Sequence, residues 1–501
     1  MRSSPSPSTC VIAIDAGTTG VRSRAVFADH RPSIADYREF TQHFPQPGWV
    51  EHDPAEIWQA VAATLNNVID RVGVEYVAAI GITNQRETAV AWDRRTGEPL
   101  CRAIVWQDRR TAQRCHELIE AGHLDLIRAR TGLVLDPYFT ATKFEWMLEH
   151  AIDPERLAEA DLALGTIDSW LIWNLTGGEV FATDVTNASR TLLFDIDRCR
   201  WDEELCELFT VPKNALGEVV ASSGRVGHTS PRCGVPAEIP ISGIAGDQQA
   251  ALFGQACTTA GMAKNTYGTG SFVLLNTGAT RPSAIEGMLS TIAWQLGDGS
   301  VTYALEGSVF VTGAAIQWLR DGLGIIDAAD EAGPLASSVP DAAGVFVVPA
   351  FTGLGAPHWD PGARGTIVGI TRGTTRAHLA RATVEAIAYQ VRDVVEAMVA
   401  ATGTELKELR VDGGASAMDL LLQFQADQLD TIVRRPHDQE TTSLGAAFLA
   451  GLAEGVWPDL DSIADRWELD AEFSPMAPRE LSNAQHDQWL RAVERSRNWA
   501  D

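Results

Sequence analysis

At 501 residues the chain is longer than one hydrophobic core comfortably serves, so two large domains or three small ones are expected. A formal net charge of −26 and a pI of about 4.8 argue against nucleic acid or an anionic membrane surface as a partner. No apolar run approaches the ~18 residues of a membrane helix, which argues against membrane insertion. Seven scattered cysteines, without a CxxC or a Cys/His cluster at zinc spacing, predict a reduced, cytoplasmic protein.

The Ser/Pro-rich start predicts a disordered tail over residues 1–8. Val11 to Ile14 then reads as a strand that turns through DAGTTG (15–20) and returns over residues 21–28. Such a turn aims backbone N–H groups and hydroxyls at one spot and so holds phosphate without a lysine, with Asp15 placed beside a metal. A plain Gly-rich hairpin is the alternative. Ala55 to Val72 carries Ile57, Val61, Leu65 and Val68 on one helical face. Val77 to Thr83 reads as a strand ending in NQRET (84–88), polar residues at the carboxyl end of a buried strand, where α/β proteins place ligands. Arg86 and Glu87 together offer donors and acceptors to a polyhydroxylated substrate; a surface ion pair is the other reading. Trp106 and Tyr138 are either walls for C–H faces or core.

Near mid-chain, IPISGIAGDQQAALFG (239–254) reads as an apolar strand, a small-residue turn and a helix start. Asp247 falls where an N-cap belongs, and there the helix dipole keeps its carboxylate ionised. That suits a weak general base for phosphoryl transfer, or only an ordinary cap. A second Gly/Thr hairpin, KNTYGTGS (264–271), follows about 250 residues after the first. The pair suggests two similar domains with a nucleotide between them. Downstream, Tyr303 to Ser308 reads as a strand and turn, Thr312 to Leu319 as a helix start, and Gly344 to Pro349 as a strand before a structured Gly/Pro loop. A long amphipathic helix is expected from Leu379 to Val399, then a strand ending in the Gly pair of RVDGGA (410–415) and a helix from Met418 to Leu429. That last corner is a good place for an α-phosphate or ribose. Ser443 to Gly451 is a small-residue helix, and the chain from Asp459 reads as peripheral helix. P-loop, protein-kinase, HExxH, GxSxG and post-strand GxGxxG motifs are all missing.

Taken together, DAGTTG, GITNQRET (81–88), TGLVLDPYF (131–139), ATDVTNASRTLLF (182–194), GDQQAALFGQ (246–255), AKNTYGTGSF (263–272), PAFTGLGAPHWDP (349–361) and RVDGGA resemble the FGGY carbohydrate kinases of the actin-like ATPase superfamily, and within them the branch that phosphorylates glycerol. The resemblance implies an α/β fold of two ribonuclease H-like, actin-like domains facing each other across an ATP and substrate cleft. The expected domains are 9–252 on the substrate side and 253–501 on the nucleotide side. It further implies ATP and Mg²⁺ as cofactors, glycerol as the small-molecule substrate, sn-glycerol 3-phosphate as the product, and a homodimer or homotetramer. Carried over by motif, substrate contacts fall on Arg86, Glu87, Tyr138, Asp247 and Gln248, flanked by Trp106 and Phe272, with Asp247 as catalytic base. Nucleotide contacts fall on Asp15, Thr18, Thr19, Arg22, Thr269, Gly313, Gln317, Gly414 and Met418. The metal falls to Asp247 and, through water, to Asp15.

The chain departs from the pattern at Ala16, where the family usually has Gln, and at Met418, where it has Asn. A longer first hairpin makes either Arg22 or Arg24 the match for the family's arginine. The segment 228–236 lacks both the loop that binds fructose 1,6-bisphosphate in some members and the phosphorylated-His loop of others. A sister kinase acting on a longer polyol such as erythritol or xylulose, or a non-catalytic nucleotide switch, are the competing readings.

Overall fold

The computed structural model describes residues 9–283 and 287–500, so the expected tail over 1–8 lies outside the described residues. The first sheet is built from β1 (Cys10–Ala16), β2 (Gly20–Phe27), β3 (Ile34–Glu39), β4 (Val77–Asn84), β5 (Ser223–His228) and β6 (Pro240–Gly246). Its spatial order is β5-β6-β4-β1-β2-β3. The three central strands β6, β4 and β1 are parallel, and the flanking pairs are antiparallel. β1 (CVIAIDA) is apolar nearly throughout because both of its faces are covered. Helix α1 (Pro54–Val72) covers one face with Ile57, Val61, Leu65 and Val68. It starts where Asp53 accepts from the Ala55 amide ahead of Pro54, and stops at Gly73. Helix α2 (Asp247–Gly254) leaves the end of β6.

The second sheet comprises β7 (Met262–Tyr267), β8 (Ser271–Gly278), β9 (Leu289–Gln295), β10 (Val301–Val309), β11 (Glu408–Asp412), β12 (Val433–Pro436) and β13 (Leu469–Phe473). Its order, β9-β10-β8-β7-β11-β12-β13, repeats the first once the outermost strands are set aside. β7, β8, β10, β11 and β12 stand where β1, β2, β3, β4 and β6 stand, with the same parallel and antiparallel pairings. The two Gly/Thr hairpins therefore occupy equivalent corners. Helices α3 (Gly313–Asp321), α4 (Arg376–Thr402), α5 (Asp419–Leu429), α6 (Thr441–Glu454) and α7 (Arg479–Ser496) complete this lobe.

The lobes join through α2 and α6, which cross with backbones in contact. A Cβ on Gly254 would overlap the Thr441 carbonyl, and one on Gly445 would overlap that of Ala250. α6 also lies on the first sheet, where Gly81 and Gly243 leave room for the Ala446 and Ala450 backbone. Val11, Ala13, Ala245, Phe253, Leu274 and Phe448 share the resulting apolar cluster. A separate core, containing Leu133, Phe139, Phe144 and Leu164, sits in the insertion between β4 and β6.

Two sequence expectations need correction. Tyr303 to Ser308 holds no turn, because β10 runs unbroken to Val309; Gly307 is there because a Cβ would collide with the Val394 side chain of α4. The chain after Asp459 is more than peripheral helix. β13 extends the second sheet, and α7 sends Trp489 into the core with 1% exposure.

Candidate active site

The polar end of β4 enters a buried charge cluster. Arg86 is 2% exposed and spends its guanidinium on three elements. Its Nε lies 3.2 Å from Asp247 Oδ1, its Nη1 2.6 Å from Glu306 Oε2, and its Nη2 donates to Tyr138 Oη at 3.2 Å. Glu87 takes a left-handed backbone at φ 60°, a strained conformation for a side chain of its size. It is held there by Arg190, whose Nε donates to its carboxylate at 2.6 Å, and by Lys143 and Thr140, which donate to its carbonyl. Lys143 is fully buried and also bonds the carbonyls of Tyr138 (2.5 Å) and Phe139 (3.0 Å). One ammonium thus ties the NQRET turn to the Tyr138 loop. Trp106 stands edge-on to Tyr138 at 5.6 Å and donates through Nε1 to Thr18 Oγ1 at 3.0 Å. Both rings are half-buried walls. Phe272 lies on β8, opposite Thr266 of β7.

Asp247 is not the N-cap. β6 stays extended through Gly246, which caps α2 at ψ 151°, and Asp247 is the first helical residue, with Oδ1 accepting the Gln248 amide at 2.7 Å. The helix N-terminus still faces it. Burial nevertheless raises its pKa, against the pull of Arg86 and Lys264. A carboxylate with raised proton affinity accepts a hydroxyl proton better than a fully relaxed one.

Asp15 faces it at the end of β1. Burial and the Asp247 charge push its carboxyl up to about 7, with Arg22, its cross-strand partner on β2, pulling the other way. A carboxylate whose proton affinity is raised by burial and by a second carboxylate fits a divalent cation. Among the described residues no group of three or more His, Cys, Asp or Glu could hold a metal. Mg²⁺ commonly takes one or two protein carboxylates and completes its shell with substrate phosphates and water. The sign of the Asp15 effect on stability follows from linkage. Its folded value lies above the unfolded 3.8, so the native state gains from it in acid and loses that gain as pH rises toward 7. Asp15→Asn is therefore expected to raise Tm at pH 8, leave it unchanged near pH 4, and abolish turnover; thermal melts at the two pH values check it.

Arg22 and Arg24 separate cleanly. Arg22 pairs with Glu440 across the lobes beside Asp15, while Arg24 is 6% exposed and committed to Asp438, Ser443 and Ser33. The first hairpin's carbonyls are also tied down. Gln85 donates to Ala16 and Gly17, and Gln42 donates to Thr18. Both glutamines meet His52, which burial holds neutral with a pKa near 4. The Thr19 hydroxyl lies 3.4 Å from Tyr37 Oη.

Across the cleft, a cavity of about 750 Å³ gathers Thr269, Gly313, Gln317, Gly414 and Met418. The first hairpin is not part of its lining. Gly313 belongs here because its amide donates to the Gly268 carbonyl at 3.0 Å and a Cβ would strike that carbonyl. The α3 N-terminus is thereby fastened to the second hairpin. Gly413, at φ 83°, lies against the Tyr267 backbone and brings Gly414 to the rim. Met418 packs on Gly333 and gives that rim an apolar patch.

Family models fall on both lobes: the N-terminal domain of the FGGY family of carbohydrate kinases matches residues 10–254 and its C-terminal domain residues 263–454. The chain belongs to the FGGY carbohydrate kinases. It is 55% identical over 496 residues to a glycerol kinase of Dechloromonas aromatica and 53% identical to one of Burkholderia cenocepacia, in each case over 98% of both chains. A crystal structure of Plasmodium falciparum glycerol kinase with ADP superposes at a TM-score of 0.92 with 36% identity, covering 97% of this chain and 98% of that one. A gluconate kinase of Lactobacillus acidophilus, at 21% identity and a TM-score of 0.86, shares the fold.

In this FGGY kinase Arg86, Glu87, Tyr138 and Asp247 lie together and Thr269, Gly313, Gln317, Gly414 and Met418 line one cavity, but sequence reasoning missed further members of the charge cluster. Glu306 and Arg190 complete the charge balance of Arg86 and Glu87. A glutamate flanked by Leu305 and Gly307 in an otherwise uncharged strand was the available signal. Lys143 and Lys264, two of only four lysines in the chain, were another.

Proposed function

We propose that the protein transfers the γ-phosphoryl group of ATP to a terminal hydroxyl of glycerol, giving ADP and sn-glycerol 3-phosphate. The observation that carries the reading is the placement of Asp247. It sits on a helix N-terminus 3.2 Å from the buried Arg86 guanidinium, with Asp15 opposite. Asp247 accepts the hydroxyl proton. Arg86, Glu87, Tyr138 and Gln248 bind the triol's oxygens, and Trp106 and Phe272 cover its C–H faces. Thr18, Thr19 and Thr269 hold phosphate oxygens, while Gly313, Gln317, Gly414 and Met418 hold the nucleoside. Bound Mg²⁺, held by Asp247 and through water by Asp15, supplies charge neutralisation at the phosphates. The remaining work is positioning, which two lobes closing over the substrates provide. Strong identity to glycerol kinases over nearly the whole chain supports this substrate. The same proposal makes the protein a cytoplasmic homodimer or homotetramer with domains near 9–252 and 253–501. No described helix is long and apolar enough to cross a membrane.

The test is steady-state ADP release with Mg-ATP against glycerol, dihydroxyacetone, erythritol, xylulose, ribulose and gluconate. Glycerol is expected to give a kcat/KM at least tenfold above every other compound. A longer polyol in first place would move the protein to a sister kinase, and ATP binding without turnover would make it a nucleotide switch.

A further inference from the structure

Lys264 lies in mid-strand in β7 with no solvent exposure, an expensive place for an ammonium. Asp412, Asp247 and Glu306 attract its charge and Arg86 opposes it, and burial lowers its pKa to about 8. It has two side-chain partners. Its Nζ donates to Thr266 Oγ1 at 3.0 Å and to Gln248 Oε1. Gln248 follows Asp247 in the first turn of α2, half-exposed to the cleft, and among the described residues its Nε2 meets no partner.

A glutamine amide has an accepting end and a donating end that exchange by a 180° flip at little steric cost. An ammonium has donors only. Placed beneath the amide, it admits one orientation: oxygen toward Lys264, nitrogen toward the cleft. We propose that Lys264 is a positioning residue that fixes the polarity of Gln248, so that the substrate pocket presents an N–H donor to a hydroxyl oxygen of the polyol. A hydroxyl that accepts from Gln248 keeps its own proton free for a carboxylate, and Asp247 and Glu87 are the acceptors at hand. The pocket thereby reads that hydroxyl in one direction, as acceptor from the amide and donor to the acid. This rests on the reading of Gln248 as a substrate contact.

The test compares KM for glycerol and for ATP in Lys264→Met, Gln248→Ala, Gln248→Glu and the double variant Gln248→Ala/Lys264→Met. Lys264→Met is expected to raise KM for glycerol about tenfold and to leave KM for ATP within about twofold, as for one lost hydrogen bond. The double variant is expected to be no worse than Gln248→Ala alone, because Lys264 acts through the amide. Gln248→Glu keeps the Lys264 bond and the side-chain shape but has no donor. It is expected to fold normally and still match Gln248→Ala in KM. A normal glycerol KM in Gln248→Glu, or additive losses in the double variant, overturns the proposal. If Lys264→Met fails to fold, the Gln248→Glu result decides alone. If the wild type prefers another polyol, the substrate assignment has failed, and the same four variants are read on the preferred compound.

Discussion

Asp247→Asn is expected to lower kcat by about 10²–10⁴ while KM for glycerol and for ATP each change by less than about threefold. The amide keeps the shape of the carboxylate and its bond from the Gln248 amide, so binding geometry survives. The negative charge and the capacity to take up a proton do not. The loss stops short of complete inactivation because positioning and the metal carry much of phosphoryl transfer. Arg86 and Lys264 lower the Asp247 pKa while burial and Glu306 raise it. Wild-type kcat should therefore fall on the acid side as this carboxylate protonates, and the acid limb should vanish in the variant. Steady-state kinetics between pH 5 and 9 check both points. A variant with kcat within threefold of wild type would remove Asp247 from the role of base.

The largest effect on stability is expected from Glu306→Ala. Glu306 is wholly buried and bridges two arginines that arrive from different parts of the other lobe, Arg86 and Arg190. Both guanidiniums are themselves 2% exposed or less. Removing the carboxylate takes a shared partner from two buried guanidiniums, leaving Arg86 only Asp247 and Glu87 and Arg190 only Glu87 as counter-charges, which costs about 3–5 kcal/mol. Activity is expected to fall with stability. The two cations hold Glu306 at about 2, well under its ordinary 4.5. For a depressed carboxyl the stabilising contribution is complete above the unfolded value and disappears as pH falls toward 2. Urea unfolding should thus show the full difference between variant and wild type at pH 7 and a smaller one near pH 3. Equal stability at pH 7 would mean that the lobes do not depend on this bridge.

What was legible in the chain, and what was not, divides by the range of the interactions involved. The hairpins, NQRET and GDQQ could be read because each motif carries its chemistry within a few residues. Arg190 and Glu306 could not, because their partners lie 103 and 220 residues away and only the folded sheets bring them together. The one-residue error at Asp247 has a local cause: β6 needs Gly246 extended to reach the cleft, so the helix starts one residue later than the Asp signal suggests. Gly307 misled in the same way. Its role is to admit the Val394 side chain, which turn propensity does not reveal. β13 depends on its register with β12, another non-local fact. The choice between Arg22 and Arg24 needed the β1/β2 pairing, which sets Arg22 opposite Asp15.

The seat of α6 on the first sheet has a consequence for how the polypeptide is made. Val11, Ala13 and Ala245 exit the ribosome long before their cover does, since Gly254 precedes Thr441 by 187 residues (441 − 254). At translation rates of about 5–20 residues per second, that apolar face waits roughly 10–40 s for its lid. The amino-terminal half therefore spends this interval with that face uncovered, and premature termination between the two helices leaves a fragment with a permanently open, aggregation-prone sheet.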